Sequence, residues 1–175
     1  MTRFRTLGII LLLLACKNTY AGYSAIEELG NYTQVMVPTY AFGMAVSEND
    51  FEGIRHFIYS FGSMELAVAG LKSVIHETRP DKSDKKSFPS GHTASAVSGA
   101  AFIHKRYGIK RAVIPYLMAG FTGYSRIRAK RHYFHDVAAG AAISGLFTWM
   151  FVGPYNSVQV SASPDSVKMD FKTEF

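Results

Sequence analysis

Phe88-Pro89-Ser90-Gly91-His92-Thr93-Ala94-Ser95-Ala96-Val97-Ser98-Gly99-Ala100-Ala101 is the stretch on which the fold turns. Ser90 is a helix-capping residue and Gly91 lets the backbone come close to a neighbouring group, so a helix opens here. The short side chains that follow suit a helix that lies against others at close range. On either side, the chain is divided by where charges are missing. Charge-free runs cover residues 29–47, 87–104, 112–125 and 137–164, and a further apolar stretch, 56–71, is broken only by Glu65. Within it Phe57, Phe61, Met64, Val68 and Leu71 recur at steps of three and four, the spacing of one helical face. The expected fold is all-α, a bundle of about five core helices.

At 175 residues without a visible repeat, the chain makes one domain. Its composition, 48% hydrophobic and 14% aromatic, is greasy for a soluble domain, yet a mean hydropathy of +0.06 is mild for a polytopic membrane protein. Crossing a bilayer takes about 20 apolar residues, and only the first and last runs approach that comfortably. We read the bundle as membrane-embedded. If the five stretches cross, parity puts residues 48–53 and 104–111 on one side, and 72–92 and 126–136 on the other. The dense basic loop His104-Lys105-Arg106-Tyr107-Gly108-Ile109-Lys110-Arg111 then falls inside, as the positive-inside tendency requires. The acidic loop with Glu48, Asp50 and Glu52 does not help that assignment.

The amino terminus places Arg3 and Arg5 before an apolar run over 7–15, which reads as a secretory signal peptide spanning 1–21. Thr19 and Ala21 have the small-residue spacing for cleavage after Ala21. Leu13-Leu14-Ala15-Cys16 also fits a lipoprotein cleavage box, and an uncleaved anchor is the third possibility. Cys16 is the sole cysteine, which excludes an intramolecular disulfide and a multi-cysteine metal site. The expected organisation is the leader 1–21, a bundle domain over 22–154 and a tail over 155–175. In the tail Val158, Val160, Val167, Met169 and Phe171 alternate around Ser163-Pro164-Asp165-Ser166, a pattern that fits a short hairpin or a disordered tail.

The net charge is +6, and a chain beginning at Gly22 would keep 16 basic against 13 acidic residues. The distribution says more than the total. Between Asp84 and Asp136 there is no Asp or Glu, while ten Lys and Arg residues fall there. So one-sided a block favours an anionic partner. For residues 104–111, however, a cytoplasmic loop of a membrane protein is the expected reading.

Three clusters carry chemistry. Lys72, Arg79 and Arg126 are cations suited to hold a phosphoryl group, with Arg offering a planar two-pronged donor. Ser90 and Gly91 open a helix whose free amides can hold an anion. His132 is a candidate nucleophile, and Asp136, four residues on and one helical turn away, can fix its tautomer. His92 is placed to protonate a leaving alkoxide and then to activate water. Pro80 is expected to end the helix carrying Lys72. Arg128, Lys130, Arg131 and His76 are extra positives, able to meet a second phosphate or an acidic lipid surface, or simply solvated. His104 and His135 read as structural.

Lys72-Ser73-Val74-Ile75-His76-Glu77-Thr78-Arg79-Pro80, Phe88-Pro89-Ser90-Gly91-His92 and Ser125-Arg126-Ile127-Arg128-Ala129-Lys130-Arg131-His132-Tyr133-Phe134-His135-Asp136 resemble the three signature motifs of the type 2 phosphatidic acid phosphatase and vanadium haloperoxidase superfamily. The resemblance implies a helical-bundle phosphatase that works without a metal or other cofactor. It assigns His132, His92 and Asp136 to catalysis and Lys72, Arg79, Ser90, Gly91 and Arg126 to the phosphate. One departure is the stretch of eight residues between Pro80 and Pro89, shorter than the family pattern.

The expected substrate is a membrane lipid or isoprenoid phosphate: phosphatidic acid, phosphatidylglycerol phosphate, a lipid A phosphate or undecaprenyl diphosphate. No nucleic-acid partner is expected. The expected location is the bacterial inner membrane, multi-pass, with the site facing the periplasm; a periplasmic or outer-membrane-associated protein is the alternative. Other functions open at this point are a soluble acid phosphatase on small phosphomonoesters, a vanadium-dependent haloperoxidase, and a non-enzymatic lipid-binding or transport protein.

Overall fold

A computed structural model describes residues 22–163 and 166–174, with side chains over 25–155. The expected leader lies outside the described residues. Five helices follow one another: α1 (Gly22–Ser47), α2 (Phe51–Val74), α3 (Gly91–Tyr107), α4 (Ile109–Arg128) and α5 (Phe134–Phe151). Then β1 (Tyr155–Ser163) and β2 (Ser166–Glu174) pair antiparallel, with Ser163 opposite Ser166, so the tail takes the hairpin alternative. The charge-free run to residue 164 does not stay helical. α5 ends before Gly153 and Pro154, of which proline cannot supply the next helical donor.

α3 is the axis of the bundle and packs on all four other helices. Its short side chains are the reason: Ala94, Ala96, Ser98, Gly99 and Ala100 are buried, and only the end of the helix carries the larger buried Phe102, Ile103, Arg106 and Tyr107. α2 turns inward the face read from its spacing, burying Phe57, Met64 and Val68. α5 is arranged the other way round. Asp136, Gly140, Ser144 and Thr148, four apart, form its buried stripe, while Leu146, Trp149 and Met150 point outward. Large apolar side chains are exposed on α1, α2 and α4 as well, among them Tyr40, Leu66 and Leu117. No helix among the described residues is long and apolar enough to cross a membrane by itself.

The two loops that parity placed together do meet, and their charges cancel. Arg106 is 1% exposed and grips Asp50 with Nε and Nη2, at 2.7 and 2.6 Å. Tyr107 Oη adds a donor to the same carboxylate at 2.7 Å, and Arg106 Nη2 also reaches Glu52 at 3.0 Å. Arg111 pairs with Glu48 at 2.7 Å. Arg106 is therefore a buried ion-pair cation, and the acidic loop that did not help the topology is its counterpart. Asp50 further caps α2 by accepting from Gly53 N at 2.8 Å. Asp50→Ala leaves a guanidinium buried without its carboxylate, a loss of about 3–5 kcal/mol. Thermal unfolding of the purified protein should show it as a large drop in Tm, and a variant that melts with the parent would refute the assignment.

Candidate active site

Every residue expected at the site lies at the opposite end of the bundle from Arg106. Lys72 is in the last turn of α2, Arg79 in the α2–α3 connection, Ser90, Gly91 and His92 at the start of α3, Arg126 in the last turn of α4, and Asp136 in the first turn of α5. His132 sits in the short α4–α5 connection. Two local expectations need correction. Pro80 does not end the helix that bears Lys72: α2 stops at Val74, because Ile75 turns extended (φ −94, ψ 108) and only caps back to Leu71 O. His132 and Asp136 do not share a helix face either, because α5 begins only at Phe134. Asp136 instead folds back on the helix start, where its Oδ2 accepts from Tyr133 N at 2.8 Å.

Ser90 is the expected cap. Its Oγ accepts from Thr93 N at 3.4 Å and lies 3.0 Å from Thr93 Oγ1. The hydroxyl is fully buried in that role, so the anion-facing donors of this turn are the first helical amides, Gly91 and His92, which have no partner inside the helix. Close packing fixes the turn against α5. Ser90 N donates to Asp136 O at 3.0 Å, and a Cβ on Gly140 would stand 2.5 Å from Ser90 O.

His132 is 3% exposed, with Nε2 3.5 Å from Arg79 Nη1 and Nδ1 3.5 Å from Asp136 Oδ2. The second distance lets the charges interact but is too long for a hydrogen bond. Asp136 Oδ2 is occupied by Tyr133 N and by Ser87 Oγ, the latter at 2.5 Å. Burial, then the charges of Arg79 and Lys72, push the His132 imidazole down to about 4, against the opposing pull of Asp136. The ring is thus neutral near pH 7, the form that the expected nucleophilic role requires.

The cations are preorganised by the protein. Lys72 Nζ donates to Lys86 O at 2.8 Å, and its pKa is lowered by burial and then by Arg79. Arg79 Nε donates to Asp84 at 2.7 Å and Nη1 to Arg131 O at 3.3 Å. Arg126, 2% exposed, donates to Ser125 Oγ, to Asn31 Oδ1 and to Glu27 O, at 3.1, 2.8 and 2.5 Å. Among the described residues Lys72 and Arg126 thus donate to neutral oxygens, which leaves their charge for an incoming anion. Arg131 differs: it pairs with Glu27 and Asp81 at 2.7 and 3.0 Å and ties α1 to the connections.

His92 Nε2 lies 3.0 Å from Asn31 Oδ1. Burial first, then Arg126, His132, Arg79 and Lys72, push its imidazole down to about 4. The only ligand-type cluster among the described residues, Glu77, His135 and Asp136, has His135 Nε2 between the two carboxylates at 2.8 and 3.2 Å. His135 Nε2 is hydrogen-bonded to Glu77, whereas Asp136 Oδ1 has no hydrogen-bond partner among the described residues, so His135 neighbours Asp136 by charge alone. His104 is likewise structural, with Nδ1 3.2 Å from Tyr116 Oη.

Sequence reasoning missed Asn31, Glu27 and Ser87. Asn31 gave one available signal, as one of two amides, with Gln34, inside the first charge-free run; Ser87 gave none. The short 81–88 stretch is a strap: Ser87 N bonds Glu77 O, Arg79 N bonds Asp84 O, and the strap's carbonyls receive Lys72.

Among known proteins, the chain is similar to the lipid A 4'-phosphatase of Helicobacter pylori, 26% identical over 162 residues that cover 86% of this chain and 81% of that one. A segment of 68 residues, 37% of this chain, is 46% identical to the lipid A 1-phosphatase of Porphyromonas gingivalis, but spans only 15% of that protein's length. The crystal structure of Aquifex aeolicus LpxE shares the fold, with a TM-score of 0.60, 23% identity, and coverage of 81% of this chain and 92% of that one. A family model described as the PAP2 superfamily matches residues 53–157. Because that match runs from α2 through α5 and takes in every predicted site residue, the chain belongs to the PAP2 superfamily.

Proposed function

We propose that this protein is a metal-independent lipid phosphatase that removes a phosphate group through a phosphohistidine at His132, with a lipid A-type phosphate as substrate. The observation that carries the reading is a buried, neutral His132 whose Nε2 faces the Arg79 guanidinium, beside two further cations held by neutral oxygens. In this mechanism Lys72, Arg79, Arg126 and the Gly91 and His92 amides hold the phosphoryl oxygens. Nε2 of His132 attacks phosphorus as the ester bond breaks, and a proton passes from His92 to the leaving oxygen. His92 then takes a proton from water, which attacks the phosphohistidine, releases inorganic phosphate and restores His132. The cationic clamp meets the charge that metal ions meet in other phosphatases.

The names of the two relatives support lipid A as the substrate class. An apolar groove between α3, α4 and α5 supports a lipid: Thr93 and Phe134, close in sequence to His92 and His132, stand in its wall with Val97, Gly120, Gly123 and Val137. This groove suits an acyl chain. The outward apolar side chains of α1, α2, α4 and α5 support a membrane-embedded bundle, multi-pass in the inner membrane, with the catalytic end toward the periplasm.

Purified protein in detergent should release phosphate from lipid A in the presence of a chelator, faster than from phosphatidic acid, phosphatidylglycerol phosphate or undecaprenyl diphosphate. Hydrolysis confined to water-soluble monoesters would overturn the lipid reading, and release of the protein from membranes by carbonate would overturn the membrane-embedded bundle. Bromide oxidation with vanadate and peroxide would instead identify a haloperoxidase.

A further inference from the structure

We infer that Asn31 of α1 is a positioning residue for the acid–base histidine, setting the tautomer of His92 and coupling that ring to the Arg126 clamp. The inference rests on the proposed phosphatase mechanism and goes beyond the family, because Asn31 lies outside the 53–157 match. One atom, Asn31 Oδ1, takes both contacts: Arg126 Nη1 donates to it at 2.8 Å, and His92 Nε2 lies 3.0 Å away. A guanidinium can only donate, which fixes this end of the amide as the oxygen. An oxygen facing His92 Nε2 requires the hydrogen on Nε2. The neutral ring therefore keeps its lone pair on Nδ1, the atom that takes the proton from water and, once charged, returns one to the leaving oxygen. This is the orienting task a carboxylate performs in hydrolase triads, carried out by an uncharged group.

The arrangement is built into the fold. A Cβ on Gly30 would stand 1.9 Å from Ser125 Oγ and 2.7 Å from Arg126 Nη2, so only glycine lets α1 seat here. Arg126 Nη2 also holds Glu27 O, one turn before Asn31. The charged and titratable groups facing His92 are Arg126 from α4, His132 and Arg79 from the connections, and Lys72 from α2. On α5, Asp136 reaches the start of α3 through its backbone carbonyl, and the α1 carboxylate of Glu27 is engaged by Arg131. A neutral amide at position 31 thus keeps a negative charge out of a pocket designed for phosphate. A carboxylate there would hold the Arg126 donors and raise the proton affinity of His92.

The test compares Asn31→Ala and Asn31→Asp with the parent, following phosphate release from the best lipid substrate across pH. Asn31→Ala should lower kcat by about 10- to 100-fold with KM little changed, the loss typical of removing an outer-shell orienting partner. Asn31→Asp keeps an acceptor for His92; its kcat should recover toward the parent, its KM should rise, and the alkaline limb of its kcat/KM profile should move to higher pH by about one unit. A merely structural Asn31 predicts lower Tm and yield in both variants with an unchanged pH profile, and that outcome would overturn the inference. Failure of the underlying mechanism would be distinguishable, because His132→Ala would then stay active.

Discussion

His132→Ala should abolish phosphate release, lowering kcat by about 10^4-fold or more, because it removes the ring on which the proposed covalent intermediate forms. The protein should remain folded, since the imidazole is a connection residue and the core around Phe57, Phe102 and Tyr107 lies at the other end. The parent profile should also carry the signature of this ring. His132 loses its nucleophilic lone pair below pH of about 4. A phosphate monoester loses its second proton near pH 6, and with His92 also pushed down to about 4, the bound substrate supplies the proton that His92 passes on to the leaving oxygen. The expected kcat/KM is level between these limits and falls by about tenfold per unit above the upper one. A profile that peaks at alkaline pH would contradict a neutral His132 working with a protonated substrate.

The second large effect belongs to His92. His92→Ala removes both the leaving-group acid and the base for water, and should cost about 10^2–10^4-fold on a lipid alkyl phosphate. With an aryl phosphate, whose leaving oxygen needs no proton, the first step should be largely spared and the second still slow. The phosphoenzyme would then accumulate as a burst. Equal losses on both substrates with no burst would reduce His92 to a binding role.

The bundle was legible in the sequence because missing charges and small-residue runs respond to packing alone. The inward face of α2 and the short side chains of α3 emerged as their spacing indicated. The candidate site was legible for a different reason, because Lys72, Arg79, His92, Arg126 and His132 stand at motif positions that the fold brings to one end of the bundle. What escaped were contacts made across the bundle. Arg106 looked like a loop cation, since nothing local shows that Asp50, far away in the chain, will meet it in the interior. Asp136 looked like a one-turn partner of His132, but the start of α5 takes up Oδ2 through Tyr133 N, and Ser87 Oγ donates to the same oxygen. Asn31 was hidden for the same reason, because its significance arises only when α1 crosses α4 at Gly30.

The central claim, a covalent intermediate on His132, is tested most directly by trapping it. His92→Ala protein is incubated with lipid A or an aryl phosphate, quenched under alkaline denaturing conditions that preserve phosphohistidine, and digested for mass spectrometry. The account predicts phosphate on the peptide containing His132, and none when His132→Ala is added to the same protein. Phosphate on another residue, or turnover with no covalent phosphate at any time point, would contradict it.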